Sequence, residues 1–217
     1  MAIIVLASPK GGVGKTTTAL NLSATLGVDL FVEKDTDNEV SALNPIRQSY
    51  GYPPLPVVSP KTSKELAAYI QRGWNGELVI IDCGGFDSDL VRIAIAAADI
   101  LITPSSDTAI ELRKLISFGE LLRELSKNTG KLIQSHILIN RVSTTATNFS
   151  IFEQIVNNSE HFKLLSTKIS LLKADHNKAM ERGVSVVEDS RTKGGRAARE
   201  QRALAKEIQL LLNSINA

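Results

Sequence analysis

Near the amino terminus, between an apolar run and a helical pattern, the sequence reads Lys10-Gly11-Gly12-Val13-Gly14-Lys15-Thr16-Thr17. Glycines at this density let successive backbone N–H groups curl around an anion, and the following helix directs its positive dipole end at the same point. The pattern matches the phosphate-binding motif G-x-x-x-x-G-K-[ST], except that Pro9 stands where the first glycine would fall. It predicts a nucleotide site at residues 11–17, with Lys15 on the β- and γ-phosphates and the Thr16 hydroxyl on Mg²⁺.

Outward from this motif, short apolar runs alternate with helical patterns. Strands are predicted at 3–7, 30–32, 78–81, 100–102 and 137–139, and helices at 16–26, 64–72, 90–98 and 110–126. This alternation predicts an α/β fold with a mostly parallel sheet and helices on both faces. Residues 44–62 hold five of the seven prolines and are predicted to be a loop, and the chain after residue 140 is predicted to be mostly helical. One domain is expected over 1–217.

The composition is that of an ordinary globular chain, because 43% of the 217 residues are hydrophobic and 22% are charged. The formal net charge is only +2, so any affinity for nucleic acid must come from a local patch. The single cysteine, Cys83, cannot form an internal disulfide, which favours a reducing compartment. No apolar run approaches the ~18–20 residues needed to span a bilayer, and the apolar start of the chain lacks the basic flank of a signal peptide.

Lys10 makes the glycine-rich motif more specific. The form K-G-G-x-G-K-T-T resembles the deviant Walker A motif of the ParA/MinD family of ATPases. This resemblance implies a P-loop NTPase fold that binds ATP and Mg²⁺. It also implies that Lys10 is the signature lysine, which reaches across a dimer interface to the nucleotide of the other subunit. The alternative is that Lys10 is a solvated lysine that only makes the electrostatic potential near the loop more positive.

Three acidic residues follow two of the predicted strands and are similar to the carboxylates of that family. Asp35 and Asp37 resemble its D-x-D segment, which implies that Asp37 orients the attacking water and that Asp35 belongs to the Mg²⁺ shell. Asp82 looks like the Walker B aspartate and is expected at the metal. The residues after these aspartates depart from the family pattern. Asp37 is followed by Asn38-Glu39 where the family usually has Pro-Gln, and Asp82 is followed by Cys83-Gly84-Gly85 where the family has one residue and then two prolines.

Two further residues follow strands near the expected site. Asn140 matches a position where relatives often hold the adenine edge, and its amide offers both a donor and an acceptor. The alternative is an asparagine that only forms a turn. Cys83 is expected to be a small buried residue rather than a nucleophile, because no histidine lies near it in the sequence.

A basic segment precedes and enters a predicted amphipathic helix at about 196–215. Its candidate DNA-contacting residues are Arg191, Lys193, Arg196, Arg199 and Arg202. At ~100° per residue, one face of the helix carries Arg196, Arg199, Arg202 and Lys206. Another face carries Leu204, Ile208, Leu211, Leu212 and Ile215. ParA-type relatives bind DNA without sequence preference through basic residues near the carboxyl terminus. The alternative is a solvated helix face.

The resemblance therefore predicts a ParA-type ATPase that forms an ATP-state homodimer, binds DNA nonspecifically and partitions plasmid or chromosomal DNA. A ParB-like or other small adaptor protein would stimulate its slow hydrolysis. The expected location is the cytoplasm of a bacterium or archaeon, on the nucleoid, without an amino-terminal extension carrying a specific DNA-binding domain.

Other functions remain open. A related ATPase could position a conjugation complex, a chemoreceptor cluster or a microcompartment. A MinD-like membrane role would use the last helix, whose apolar face lacks Trp and Phe. The nitrogenase iron protein shares the loop but needs cysteines that this chain lacks, and a ligase resembling dethiobiotin synthetase would need a substrate pocket.

Overall fold

The computed structural model describes residues 2–34, 39–85 and 88–215. Seven strands form one sheet in the order β3-β2-β4-β1-β5-β6-β7, and every strand pair in the described residues is parallel. The strands are β1 Ile3–Leu6, β2 Leu30–Lys34, β3 Val57–Val58, β4 Val79–Cys83, β5 Ile100–Ser105, β6 Ser135–Val142 and β7 Phe162–Ser170. The predicted α/β fold with a parallel sheet is confirmed.

Helices cover both faces of the sheet. They are α1 Lys15–Leu26, α2 Leu43–Ser49, α3 Ser63–Trp74, α4 Asp89–Ala97, α5 Ala109–Thr129, α6 Ser150–Asn157, α7 Lys173–Met180 and α8 Arg196–Ile215. Helices α3 to α6 pack on one core, and α1 and α8 pack on the other. In the central strand β1, Ile3 and Val5 face the first core while Ile4 faces the second. This explains why the central strands are continuous apolar runs.

The proline-rich segment 44–62 is not simply a loop, which corrects the prediction. It contributes most of α2 and the edge strand β3, which pairs with β2. The Asn44 side chain binds both the N–H and the C=O of Leu55, at 2.8 and 3.1 Å, and so closes the segment on itself. Prolines gave the segment a turn-like composition, but pairing with β2 and the contact between Asn44 and Leu55 determine its structure.

The prediction of mostly helical structure after residue 140 is also wrong, because it missed β7. This edge strand mixes apolar and polar residues without a regular alternation, and its partners in β6 are remote in sequence. Two carboxylates of α8 bind its backbone: Glu207 accepts the N–H groups of Ser166 and Thr167, and Glu200 accepts that of Ser170. The strand is thus stabilised by a helix more than 25 residues further along the chain.

Arg47 is a buried cation that joins α2 to the segment before α8. Its side chain is 2% exposed and donates to Glu188 at 2.8 and 3.2 Å. It also donates to the carbonyl oxygens of Pro53 and Gly183, at 3.1 Å each. Burial disfavours ionised Glu188, but hydrogen bonds from Arg47 and Ser185 outweigh it, so the pKa of this carboxyl lies below its usual value.

We expect Arg47→Met to lower the free energy of unfolding at pH 7 by about 3 kcal/mol, because it leaves a largely buried carboxylate without its cation. Glu188 has a lowered pKa in the folded state, so the stability it contributes is present above the ordinary carboxyl pKa of about 4.3. That stability is lost as the pH falls through the folded-state pKa. Urea unfolding at pH 7 and pH 3 should therefore show a smaller difference between wild type and variant at pH 3.

The matched control is Arg72→Met, which removes a more exposed partner of Glu77. Solvent screens such a pair, so the control should change stability only slightly. Equal effects of the two substitutions would contradict a stabilising role for the buried pair.

No helix in the described residues is both long and apolar enough to cross a membrane.

Candidate active site

The glycine-rich loop lies between β1 and α1, at the carboxyl edge of the parallel sheet, where α/β folds bind ligands. Gly12 and Gly14 have φ of 75° and 90°, a region that side chains other than glycine rarely adopt. A Cβ on Gly14 would lie 2.6 Å from the Asn140 amide nitrogen, whereas a Cβ on Gly11 would meet nothing within 4 Å. The loop is therefore an open cradle on one side and closely packed on the other.

Lys15 begins α1 beside this cradle. Its side chain is largely buried, and Nζ donates to the carbonyl oxygen of Lys10 at 3.2 Å. The ammonium thus lies against the loop, at the helix terminus whose dipole attracts anions. Thr16 and Thr17 follow it at the wall of the same cavity.

Lys10 is engaged within its own chain. Its Nζ lies 2.9 Å from Oε1 of Glu111, in the first turn of α5. The other carboxylate oxygen accepts the Ser106 N–H at 2.6 Å. Burial disfavours ionised Glu111, but the bonds from Ser106 and Lys10 outweigh it and lower the pKa of this carboxyl. The sequence did not indicate Glu111, because it lies 101 residues from its partner.

Asn140 lies beside the loop, as its strand-end position predicted, but both of its amide atoms have partners. Nδ2 donates to the Val13 carbonyl oxygen at 2.7 Å, and Oδ1 accepts the Arg141 N–H at 3.0 Å. In this structure the side chain supports the phosphate loop, and its contact with a base remains a prediction. Arg141 has a φ of 58° and lies over Gly12, a strained feature that the sequence did not indicate.

Asp82 lies in β4 at the same edge of the sheet, is 1% exposed and pairs in register with Leu6. Burial and the neighbouring Asp82 raise the pKa of the Cys83 thiol to about 12. Cys83 therefore stays protonated near neutral pH, in agreement with the prediction that it is not a nucleophile. Asp35 and Asp37 lie outside the described residues.

Glu33, which the sequence did not single out, is a buried carboxylate close in sequence to the D-x-D segment. It is buried in β2, and its carboxylate accepts the N–H groups of Val40 and Ser41 at 2.5 and 3.1 Å, as well as the Ser41 hydroxyl. Glu33 precedes the Asp35–Asp37 segment, and the residues that it holds follow that segment. It therefore links the two flanks of the D-x-D stretch.

A cavity of about 370 Å³ runs from the loop to the end of β7. Its volume falls in the range of small-molecule sites, and an open amide cradle at one end suits a phosphate chain. A nucleotide therefore fits the residues present. The cavity is lined by loop residues, Glu39, Gly85, Asn140, Arg141, and the group Ile169 to Lys173 with His176, Asn177 and Gln201. The described residues hold no group of three or more His, Cys, Asp and Glu placed to bind a metal.

The five basic candidates near α8 differ in their partners. Arg191 pairs with the carboxylates of Asp189 and Glu181, at 2.7 and 3.2 Å, and also contacts the Lys178 carbonyl oxygen. Arg196 lies 2.7 Å from Glu200. The charges of these two arginines are therefore partly neutralised within the chain.

The other three candidates are Lys193, Arg199 and Arg202, here called the basic surface. All three are exposed, and among the described residues none forms an ion pair with a carboxylate. Arg199 and Arg202 instead donate to the carbonyl oxygens of Gly194 and Lys193, at 3.0 and 2.7 Å. Their charge remains available at the protein surface.

The opposite face of α8 packs into the second core, as predicted, through Leu204, Ile208 and Leu212. Ile215 was predicted to share this face, but it is 49% exposed. The helix reaches the edge of the core in its last turn, so the apolar contact ends before Ile215.

A strand, a glycine-rich cradle and a helix starting with Lys15-Thr16 define this as a P-loop nucleotide-binding protein. The chain belongs to the CobQ/CobB/MinD/ParA nucleotide binding domain family, whose model matches residues 4–186. It is accordingly an ATPase of the ParA/MinD family.

Comparison with individual proteins shows the range of this family. The chain is 27% identical over 146 residues to "Protein ParA" of Rhizobium radiobacter, an alignment that covers 66% of each protein. It is 25% identical over 212 residues to "Maintenance of carboxysome distribution protein A" of Gloeobacter kilaueensis, covering 95% of this chain and 93% of the relative. The solved structure of the septum site-determining protein MinD with Mg-ADP from Pyrococcus horikoshii shares the fold, with a TM-score of 0.70, 16% identity and coverage of 100% and 98%.

Proposed function

We propose that this ATPase is an ATP-dependent switch that dimerises, binds DNA nonspecifically and partitions plasmid or chromosomal DNA on the nucleoid. A ParB-like or other small adaptor protein would stimulate slow, Mg²⁺-dependent hydrolysis and so release the DNA. The observation that carries this proposal is the position of the basic surface: Arg202 directly follows Gln201, which lines the nucleotide cavity. The basic surface thus lies one residue along α8 from the cavity proposed for the nucleotide, and its charges suit phosphate contact.

Each part of the proposed site has a role consistent with its chemistry. Residues 11–17 would bind the phosphates, and Lys15 would neutralise the β- and γ-phosphate charge. Thr16, Asp82 and Asp35 would hold Mg²⁺, which usually takes one or two carboxylates besides phosphate oxygens and water. Asp37 would orient the attacking water.

Lys10 has to change partner for the dimer to form. In the structure it is paired with Glu111, which is held in turn by Ser106. Crossing to a second subunit would replace this internal carboxylate by the phosphates of the other nucleotide. Dimerisation would also double the basic surface, and since phosphate contacts add in log affinity, DNA binding would rise in the ATP state.

The test is DNA binding by the purified protein at two salt concentrations, with ADP, with ATP and Mg²⁺, and by Lys10→Ala with ATP and Mg²⁺. We expect binding by wild type with ATP only, weakened strongly by salt, because counterion release drives it. Lys10→Ala should behave like the ADP state while still binding nucleotide. Equal DNA binding in all three states would contradict the switch.

The Gloeobacter relative supports a second kind of cargo, a protein assembly. Its name assigns that relative to carboxysome distribution, and the alignment covers 95% of this chain. The same switch could then position a protein assembly instead of DNA. The two cargoes are separated by testing which adaptor, one bound to a plasmid site or one bound to an assembly, stimulates ATP hydrolysis. A membrane-associated role is less well supported, since Leu204, Ile208 and Leu212 of α8 are buried in the core.

A further inference from the structure

Gln201 is a buried polar residue in the nucleotide cavity without a full set of hydrogen bonds. It lies in α8, is 1% exposed and lines the cavity that also includes residues of the phosphate loop. Among the described residues, its Oε1 has no hydrogen-bond partner. Buried carbonyl groups almost always have one, so the missing partner points to a ligand.

Besides the phosphate loop, the lining of the cavity is partly apolar. It includes Ile169, Leu171 and Leu172, which end or follow β7, together with the polar side chains of Lys173, His176 and Asn177. Apolar surface beside polar groups suits a flat ring with a polar edge. The cavity thus offers a lining for a ring as well as the loop for phosphates.

Asn140, the residue that the sequence indicates for base contact, is engaged elsewhere. Its Nδ2 donates to Val13 and its Oδ1 accepts from Arg141. Gln201 thus carries the buried carboxamide of this cavity whose oxygen has no donor partner among the described residues. The two residues come from β6 and α8 and line one cavity only in the folded protein.

We propose that Gln201 reads the nucleobase and makes the site selective for adenine over guanine, an inference that rests on the proposed nucleotide-binding function. A carboxamide offers a donor and an acceptor side by side, which matches N6–H and N7 of adenine in a bidentate pair. Rotation of the amide about its last bond lets either atom face the cavity. Guanine presents two acceptors, O6 and N7, on the same edge, so one of the two bonds is lost.

The variant that tests this is Gln201→Met, which keeps the length of the side chain and removes both polar atoms. Its matched control is Gln209→Met, on the exposed face of the same helix. Calorimetric titration with AMPPNP and GMPPNP should show that wild type prefers the adenine nucleotide by roughly tenfold. Gln201→Met should lose most of that preference through weaker AMPPNP binding alone, and Gln209→Met should keep it.

A ligand-side measurement on the wild type does not depend on how the variant folds. Inosine triphosphate lacks the N6 amino group, and 7-deaza-ATP lacks the N7 acceptor. Each should bind roughly tenfold more weakly than ATP. Binding of both as tightly as ATP, or an unchanged preference in Gln201→Met, would overturn the assignment while leaving nucleotide binding intact. Failure of the wild type to bind any nucleotide would overturn both proposals.

Discussion

Substitution of Lys15 by alanine is expected to weaken ATP binding by roughly 100-fold, because hydrogen bonds to charged groups are the strongest that the site can make. The Lys15 ammonium is largely buried against the loop, where solvent screens its charge only weakly. Calorimetric titration with AMPPNP in the presence of Mg²⁺ measures the loss directly.

The control is Lys163→Ala, which removes an exposed lysine at the amino-terminal end of β7, away from the loop. Thermal unfolding without nucleotide checks that Lys15→Ala still folds, since Lys15 also donates to Lys10. Undiminished binding by a folded Lys15→Ala protein would place the phosphates outside the glycine-rich loop.

Reversing two charges of the basic surface is expected to have a similarly large effect on DNA. Arg199→Glu/Arg202→Glu should lower the affinity of the ATP state by at least roughly 100-fold at low salt, because two phosphate contacts per subunit become repulsive. The dependence of log affinity on log salt should also become shallower by about 2 per subunit. Fluorescence anisotropy with duplexes of unrelated sequence measures both quantities.

The control has the same change in net charge at another place. Lys131→Glu/Lys163→Glu alters two exposed lysines that line a cavity at the amino-terminal edge of the sheet. This control should leave most of the DNA affinity in place. Because Arg199 and Arg202 also bind backbone carbonyl groups, the neutral pair Arg199→Gln/Arg202→Gln separates loss of charge from loss of structure. Equal losses of DNA affinity in the charge-reversal variant and in the control variant would show only a general effect of net charge.

The sequence offers no reason to prefer one basic residue of this segment over another as a DNA contact, whereas the structure distinguishes them by their partners. Arg191 and Arg196 have carboxylate partners, whereas the three residues of the basic surface do not among the described residues. The acidic partners Asp189 and Glu181 could be seen in the sequence, but their pairing with Arg191 depends on the turn between α7 and α8. Helical periodicity predicts which face a side chain occupies, and not which charge it meets.

The phosphate loop and the parallel α/β fold could be read from the sequence because their determinants are local. Eight contiguous residues build the loop, and each central strand is an apolar run bounded by helices. Strand β7 and the elements in 44–62 were missed because contacts from other parts of the chain help to stabilise them.

Only the tertiary structure assigned the partners within the site. Glu111 meets Lys10 across 101 residues, and Asn140 meets Val13 across 127. Gln201 was an unremarked polar position in a helical pattern until the fold placed it in the nucleotide cavity. Residue types and spacing determine which groups can bind a phosphate, because the loop that holds them is continuous. Which carboxylate holds Lys10, and which amide is left for the base, depends on packing between strands and helices that are far apart in the chain.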